Sequence, residues 1–161
     1  MSHFVLLVVA FKPDQINISA FEKRTHAIVN SYGLCLKSVD SNQTGDKGLI
    51  LRERRFENKP CVYFEIVSSQ EMDVADDLIS PWEVDGEWPN SVKTFLQILQ
   101  KFAGALSLDQ SILEFKFIFS QGYDTDYFEL RPNKMPFLND LLERFKEENR
   151  VPSIQIIFDT L

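Results

Sequence analysis

Positive charge is absent from one long stretch of this chain. Residues 61–92 contain no lysine or arginine, although they carry eight carboxylates. The residues before this stretch hold nine basic against six acidic side chains, and the residues after it hold eight against ten. The net charge of −7 therefore comes from this one stretch. Because nucleic-acid binding needs a basic surface, this distribution argues against a nucleic acid as the main ligand.

Long apolar runs and cysteines are also scarce. The apolar run Phe4–Phe11 has eight residues, whereas a membrane span needs about 20, so it predicts a buried strand and no membrane association. Its flanks lack the basic region and the small-residue cleavage site of a signal peptide. Cys35 and Cys61 are the only cysteines, which favours buried thiols, with a single disulfide in a secreted protein as the alternative. We expect a cytoplasmic protein.

Catalytic motifs are the third absence. The sequence contains no G-x-S-x-G elbow, no P-loop and no G-x-G-x-x-G. Of the two histidines, His3 lies near the first residue and His26 lies in a predicted helix. A pair of His26 with Cys35 stays open, because residues distant in sequence can be neighbours in the fold. The sequence favours a function other than catalysis and predicts no cofactor and no metal.

The composition of the chain suits a single hydrophobic core, since 44% of its residues are hydrophobic and 14 are phenylalanine. No linker or repeat divides the chain, so we expect a single α+β domain over residues 1–161. Apolar periodicity predicts a mixed, mostly antiparallel sheet of about five or six strands, with about three helices packed on one face. The expected strands are 4–11, 34–39, 49–56, 61–68, 112–119 and 151–158, and the expected helices are 19–32, 91–103 and 137–145.

Two strands carry more specific expectations. In the strand 112–119, apolar and other residues alternate, which predicts one buried aromatic face. In the strand 49–56, Arg52 and Arg54 project to the same side, where they form an anion site or protect an exposed edge. This strand and its two neighbours along the chain are expected to form an antiparallel meander. In the strand 112–119, the alternating apolar residues are Leu113, Phe115, Phe117 and Phe119.

Familiar signals mark the ends of the helices. Ser19 and Glu22 fit a capping box at the start of the first helix. Gly33 is expected to end that helix in a conformation with φ > 0, which glycine adopts at little cost. Gly104 is expected to end the helix that starts at Asn90 or Ser91.

The stretch 69–90, SQEMDVADDLISPWEVDGEWPN, holds both tryptophans and a dense set of carboxylates. If residues 70–79 form a short helix, Asp73, Asp76 and Asp77 share the face opposite its apolar side. A solvated face with acids near the positive end of the helix is one interpretation. A metal site is disfavoured, because the stretch lacks the alternating oxygen ligands of a calcium loop and has no nearby histidine or cysteine.

The remaining interpretation of this stretch is recognition of a basic protein. Trp82 and Trp88 either seal the edge of the core or anchor a partner, since aromatic residues are enriched at the centres of interfaces. Carboxylates beside them would speed association with a basic surface. The stretch 121–131, QGYDTDYFELR, repeats this chemistry and extends the surface if the two loops are neighbours, although Asp124 suits a turn.

A small, acidic, cytoplasmic α+β protein without catalytic motifs resembles the bacterial immunity proteins, which block toxins by occluding a basic active site. The resemblance rests on composition and implies a one-to-one complex with a basic protein, such as a nuclease toxin. In such a complex, carboxylates stand where substrate phosphates would otherwise lie. The predicted partner-binding residues are Asp73, Asp76, Asp77, Trp82, Glu83, Asp85, Glu87, Trp88, Tyr123, Asp126 and Tyr127.

Two other functions stay open. One is a small-ligand-binding or enzymatic domain with a pocket near residues 121–134. A ligand of such a domain would raise its melting temperature, because binding to the native state alone adds stability. The other is a structural or oligomerisation protein.

Overall fold

One six-stranded sheet organises the molecule. The computed structural model describes residues 3–13, 18–31, 33–68, 90–121, 126–132, 137–148 and 153–159. The strands are β1 (His3–Phe11), β2 (Leu34–Ser38), β3 (Cys61–Ser68), β4 (Ile112–Gln121), β5 (Phe128–Leu130) and β6 (Ile154–Asp159). Their order across the sheet is β2-β3-β1-β4-β6-β5. Neighbours are antiparallel except for β5 and β6, which are parallel. The predicted mixed, mostly antiparallel sheet is confirmed.

Four helices accompany the sheet in the described residues. They are α1 (Ile18–Asn30), α2 (Asp46–Arg54), α3 (Asn90–Ser107) and α4 (Leu138–Glu148). The α+β class is confirmed, with one helix more than expected. None of these described helices combines the length and the apolar character that a bilayer crossing requires.

The main hydrophobic core lies on one face of the sheet, called the first face below. Alternate residues of β1, β4 and β6 pack there against α1, α3 and α4. Phe115 stacks on Phe158 with ring centroids 4.8 Å apart, and Phe11 meets Phe21 edge to face at 5.1 Å. Such pairs add about 0.5–1.5 kcal/mol each beyond area burial. The helices bury one side each, with the buried residues Phe21, Thr25, Val29, Phe95, Leu96, Leu99, Phe102, Ala103, Leu141 and Phe145.

The opposite face, called the second face below, is covered by α2 and its flanking segments. Leu6 and Val8 of β1 and Ile118 of β4 form a small cluster with Leu51 of α2. Helices therefore lie on both faces, three on the first and one on the second. The expectation that all helices pack on one face is wrong. Six partly buried side chains surround the small cluster, namely Val39, Ile50, Phe56, Cys61, Tyr63 and Tyr127.

The predicted strand 49–56 and the three-stranded meander are also wrong, because Asp46–Arg54 forms α2. β2 and β3 pair directly with each other, which leaves the segment between them outside the sheet. The segment is rich in leucine, arginine and glutamate, which favour a helix when no strand neighbour is available. Burial of Leu51 against the second face then stabilises this helix.

The buried aromatic face of β4 is confirmed, but its alternation starts one residue earlier than predicted. The pairing of β1 with β4 shifts register between Ala10 and Phe11. As a result, Ile112 is buried in the first-face core, and Leu113 is only partly buried. An extra residue in one strand of an antiparallel pair produces such a change of face. The three phenylalanines that follow are buried as expected, at Phe115, Phe117 and Phe119.

The helix ends agree with the sequence in part. Gly33 follows α1 with φ 76°, as predicted, and α3 begins at Asn90. However, α1 already begins at Ile18, so Ser19 lies in its first turn and not at the cap. Gly104 does not end α3, which continues to Ser107. The helix cost of one glycine, about 1 kcal/mol, is outweighed because the next turn buries Leu106.

Candidate functional site

The second face carries an unusual number of buried polar side chains. Four of them are almost fully buried in the sheet: Glu65 of β3, Lys116 and Ser120 of β4, and Gln155 of β6. Strand pairing explains their shared side, since Leu6 lies opposite both Glu65 and Ile118, and Ile118 lies opposite Gln155. Residues opposite each other in a sheet project to the same face. The second face is therefore a polar surface beneath the α2 region.

Two ion pairs tie the α2 region to this surface. Lys47 Nζ of α2 lies 2.7 Å from Glu65 Oε1. Lys59, which follows α2, pairs with Glu114 of β4. The buried carboxylate of Glu65 needs such a partner, because an unpaired charge away from water is costly. Glu65 belongs to the acidic stretch 61–92 of the sequence, but its charge is used inside the fold.

Near β5, Tyr127 links α2 to β4 through two contacts, one made by its ring and one by its hydroxyl. The Arg54 guanidinium lies 4.2 Å from the centroid of the Tyr127 ring. The hydroxyls of Tyr127 and Ser120 are 2.7 Å apart. Tyr127 thus packs between α2 and β4, where it is partly buried. Arg52, by contrast, donates to the backbone oxygens of Ser41 and Gln43 at 2.9 and 3.0 Å.

The separation of the two arginines corrects an expectation. Arg52 and Arg54 were predicted to share one face of a strand, but on a helix residues two apart point in different directions. One binds the turn before α2, and the other stacks on a tyrosine. Neither a shared anion site nor the protection of a strand edge describes them.

Lys116 is the most perturbed titratable group among the described residues. Burial lowers the pKa of Lys116 from its ordinary value of 10.5 to about 8. The carboxylates of Glu129 and Glu114 oppose this shift, and the charge of Arg54 adds to it. The ammonium lies 4.6 Å from the centroid of the Phe56 ring, a distance suited to cation–π attraction. A lysine amine with a lowered pKa is a usual nucleophile and base in enzyme sites.

Two weakly acidic side chains, Cys61 and Tyr63, lie on the same face. Burial raises the pKa of the Cys61 thiol, and its Sγ is 3.4 Å from the backbone oxygen of Lys59. Burial also raises the pKa of Tyr63. A thiol with a raised pKa is a poor nucleophile, because the thiolate is the reactive form. Cys35 is likewise a free cysteine, and its Sγ contacts Asn30 Oδ1 at 3.6 Å.

A separate acidic groove of about 200 Å³ runs along the β5 edge of the sheet, between that edge and α4. Three exposed carboxylates of α4 line it, at Asp140, Glu143 and Glu147. Their spacing of three and four residues places them on one side of the helix. Glu129 of β5 borders the groove from the strand side. In the part of the chain that the structure describes, Arg144 is the one basic residue of the lining. Its guanidinium lies 4.4 Å from the Phe128 ring centroid, and its Nη1 lies 3.7 Å from Glu147 Oε2.

A larger groove of about 340 Å³ lies between α1 and the end of α3. Leu108 on its rim is 83% exposed. Arg24 and Asp109 join across it with Nη2 and Oδ2 2.6 Å apart. Burial works to raise the pKa of Asp109, but hydrogen bonds from Ser111 and Arg24 outweigh it, so the pKa lies below its ordinary value. Arg24 of α1 and Asp109, two residues after α3, form an exposed ion pair across this groove, and among the described residues no other charged side chain lines it.

Most of the predicted partner-binding residues lie outside the described part of the chain. Of the two that are described, Asp126 is exposed, and Tyr127 is partly buried on the second face. Within the described residues, no group of three or more histidine, cysteine, aspartate or glutamate side chains is arranged to hold a metal ion. The predicted residues outside the description are Asp73, Asp76, Asp77, Trp82, Glu83, Asp85, Glu87, Trp88 and Tyr123.

Two features of the structure were missed from the sequence. The α4 carboxylates could have been found, because Asp140, Glu143 and Glu147 recur at helical spacing opposite the apolar side. Lys116 could not, since its alternation with phenylalanines is that of an ordinary half-exposed strand. Its burial depends on the tertiary structure, which places the Phe56 ring of the segment after α2 at 4.6 Å from its ammonium.

Compared with models of known protein families, with curated proteins and with solved structures, the chain has no match.

Proposed function

We propose that this protein binds a basic protein partner through acidic surfaces and inhibits it by occluding its active site. The partner class is a basic toxin, such as a nuclease, held in a one-to-one complex in the bacterial cytoplasm. The acids of the stretch 69–90, with Trp82 and Trp88, form the main surface in this proposal. Asp126, Tyr123 and Tyr127 belong to the same proposed site.

The observation that carries the proposal is the acidic side of α4. Asp140, Glu143 and Glu147 are exposed and line one groove, so their negative potentials add. Among the described residues no lysine lines this groove, and its one arginine, Arg144, lies over the Phe128 ring and pairs with Glu147 at 3.7 Å. The sequence adds the acidic stretch 61–92, on a chain whose net charge is −7. A basic protein is the complementary partner for such a chain.

Electrostatic attraction sets the expected kinetics. Exposed carboxylates accelerate the encounter with a basic surface, and they add little to affinity once desolvation is included. Aromatic anchors in a pocket would supply most of the binding energy. The carboxylates would stand where the phosphates of a nucleic-acid substrate otherwise bind, which explains inhibition without a reaction.

The test begins with affinity purification of the protein from its native cells, followed by kinetics with the basic protein that co-elutes. A variant D140N/E143Q/E147Q removes three negative charges from the groove. We expect its association rate to fall about three- to tenfold, with little change in the dissociation rate. The same substitutions at Asp73, Asp76 and Asp77 should have an equal or larger effect.

The matched control is D46N/E53Q/E57Q, which removes three exposed charges from the α2 side. We expect this variant to associate within about twofold of the parent rate, since its charges lie outside the α4 groove. Equal slowing by the groove variant and the control would show that only net charge matters. Failure to recover any basic protein in stoichiometric amount would contradict the proposal.

A further inference from the structure

Residues 40–60, called the flap below, cover the second face with little apolar burial. The flap holds α2 and the turns before and after it, and only Gly48 and Leu51 among its residues are buried. The nine residues of α2 are too few for a helix that is stable by itself. Its N-cap residue, Gly45, has no side chain to cap the first turn. The flap therefore depends on its contacts with the sheet.

Charged groups make several of those contacts. Lys47 Nζ lies 2.7 Å from Glu65 Oε1, and Lys59 pairs with Glu114. A third cation, Arg54, lies over a tyrosine ring, 4.2 Å from its centroid. In an open flap these groups would regain their hydration, which offsets most of the attraction that is lost. Such contacts hold the flap closed by a narrow margin.

The rest of the fold does not use the flap. β2 and β3 pair directly with each other, and the first-face core of the described residues contains no flap residue. Among the described backbone hydrogen bonds, the flap meets the sheet at its two ends. There Val39 N donates to the backbone oxygen of Tyr63 at 3.0 Å, and Phe11 N donates to that of Pro60 at 3.2 Å. The residues between these two points can leave the second face while the described strand pairing is kept.

The face under the flap has the composition of a solvated face. Glu65, Lys116, Ser120 and Gln155 lie on it, and all four are almost fully buried in the closed form. Antiparallel sheets commonly pack one face on the core and leave the other, more polar face in water. A permanently covered face is usually apolar, because each buried polar group loses hydration. This face therefore suits a cover that leaves it part of the time.

We propose that the flap opens as a unit and exposes the second face, with the pair of Lys47 and Glu65 as its latch. The sheet and the first-face core stay folded, and α2 melts on opening, because it is too short to persist without the sheet. Glu65 stays on β3 and is 4% exposed in the closed form, so its carboxylate needs the lysine that the flap supplies. Access to the polar face thus depends on charge at one ion pair. The proposal goes beyond partner binding, because its evidence lies in contacts within the fold.

The experiment is hydrogen exchange of the folded full chain in deuterated water, followed by NMR at pH 7. We expect the α2 amides of residues 50–54 to exchange at least about 100-fold faster than the amides of β1 and α3, because local opening costs less than global unfolding. K47Q should speed α2 exchange by a further factor of about ten or more, since the carboxylate of Glu65 then stays buried without its cation. Exchange in β1 and α3 should not change.

A double variant distinguishes a latch from general weakening of the flap. E65Q should speed α2 exchange by about fivefold or less, because it leaves no buried charge and Lys47 is itself partly exposed. K47Q/E65Q should then exchange more slowly than K47Q, since the two substitutions act on one contact and do not add. A simple loss of two stabilising groups would instead make the double variant the fastest.

The matched control is K37Q. Lys37 is exposed and lies opposite Glu65 in the β2–β3 pairing, so it stays beside Glu65 whether the flap is open or closed. K37Q removes the same charge as K47Q and should leave α2 exchange within about twofold of the parent rate. Three results overturn the proposal: α2 amides that exchange as slowly as those of β1 and α3, equal acceleration of all three elements in K47Q, or a double variant at least as fast as K47Q.

Discussion

Lys116 costs the fold stability at neutral pH. Its pKa is lower in the folded chain than in the unfolded one, so folding disfavours the charged form. The cost is full below about pH 8 and disappears as the pH rises toward 10.5, where the unfolded chain also loses the proton. We expect K116M to raise the free energy of unfolding at pH 7 by about 1–2 kcal/mol, after allowance for solvent screening.

Urea unfolding at several pH values between 7 and 10.5 checks this. Cys61 and Tyr63 have the opposite effect on the pH dependence. Folding raises the pKa of each, so each stabilises the folded chain at neutral pH, and this contribution falls as the pH rises past the ordinary pKa of the group. Both residues are present in the parent and in K116M, and Lys116 lowers the pKa of Cys61. The difference between the two proteins therefore reports Lys116 together with its effect on Cys61. K23M at an exposed site should change stability by less than about 0.5 kcal/mol. Parallel pH curves for the parent and K116M would contradict the prediction.

At the scale of the element, α2 depends on one glycine. A Cβ at Gly48 would stand 2.0 Å from the backbone oxygen of Gln43. Arg52 Nη1 holds that same oxygen at 3.0 Å, so the turn before α2 cannot move freely. G48A gains about 1 kcal/mol of helix propensity but must displace this backbone. We expect a net loss of about 1–3 kcal/mol in the free energy of unfolding.

L49A is the control for G48A, because Leu49 lies next to it on α2 and is 49% exposed. Its loss should stay below about 1 kcal/mol. Denaturant unfolding of both variants gives the comparison. A G48A protein as stable as the parent would show that the turn around Gln43 yields at no cost.

The same elements show what periodicity can and cannot predict. α3 and α4 were predicted because apolar residues recur on one side of each over several helical turns. Only a helix brings residues at that spacing onto one buried face. α2 buries Leu51 deeply and little else, so its short apolar run suits a strand equally well. The short strand β5 was missed because three residues are too few for any period. Its place depends on the parallel pairing with β6.

At the scale of the whole molecule, charge is expected to govern how the proposed complex forms. The proposed complex joins a chain of net charge −7 to a basic protein, and salt screens such attraction. We expect the association rate to fall at least about tenfold between 0.05 and 0.5 M NaCl. The dissociation rate should change much less, since contacts at short range are screened less.

Stopped-flow or surface-based kinetics over the salt series measures both rates. The groove variant D140N/E143Q/E147Q should show a shallower salt dependence than the parent protein, because fewer charges are left to screen. An association rate that stays constant across the series would contradict an electrostatically steered complex. It would leave the tryptophans of the stretch 69–90 as the candidates for recognition.

Composition and periodicity determine the α+β class, the largely antiparallel sheet and the phenylalanine core, because these follow from which residues must leave water and at what spacing. They also determine the charge segregation, which is a property of the chain itself. The tertiary structure alone decides that α2 lies on the second face, that Glu65 is paired inside the fold, and that Lys116 is buried. These outcomes depend on contacts between residues far apart in the chain, and no local pattern encodes them.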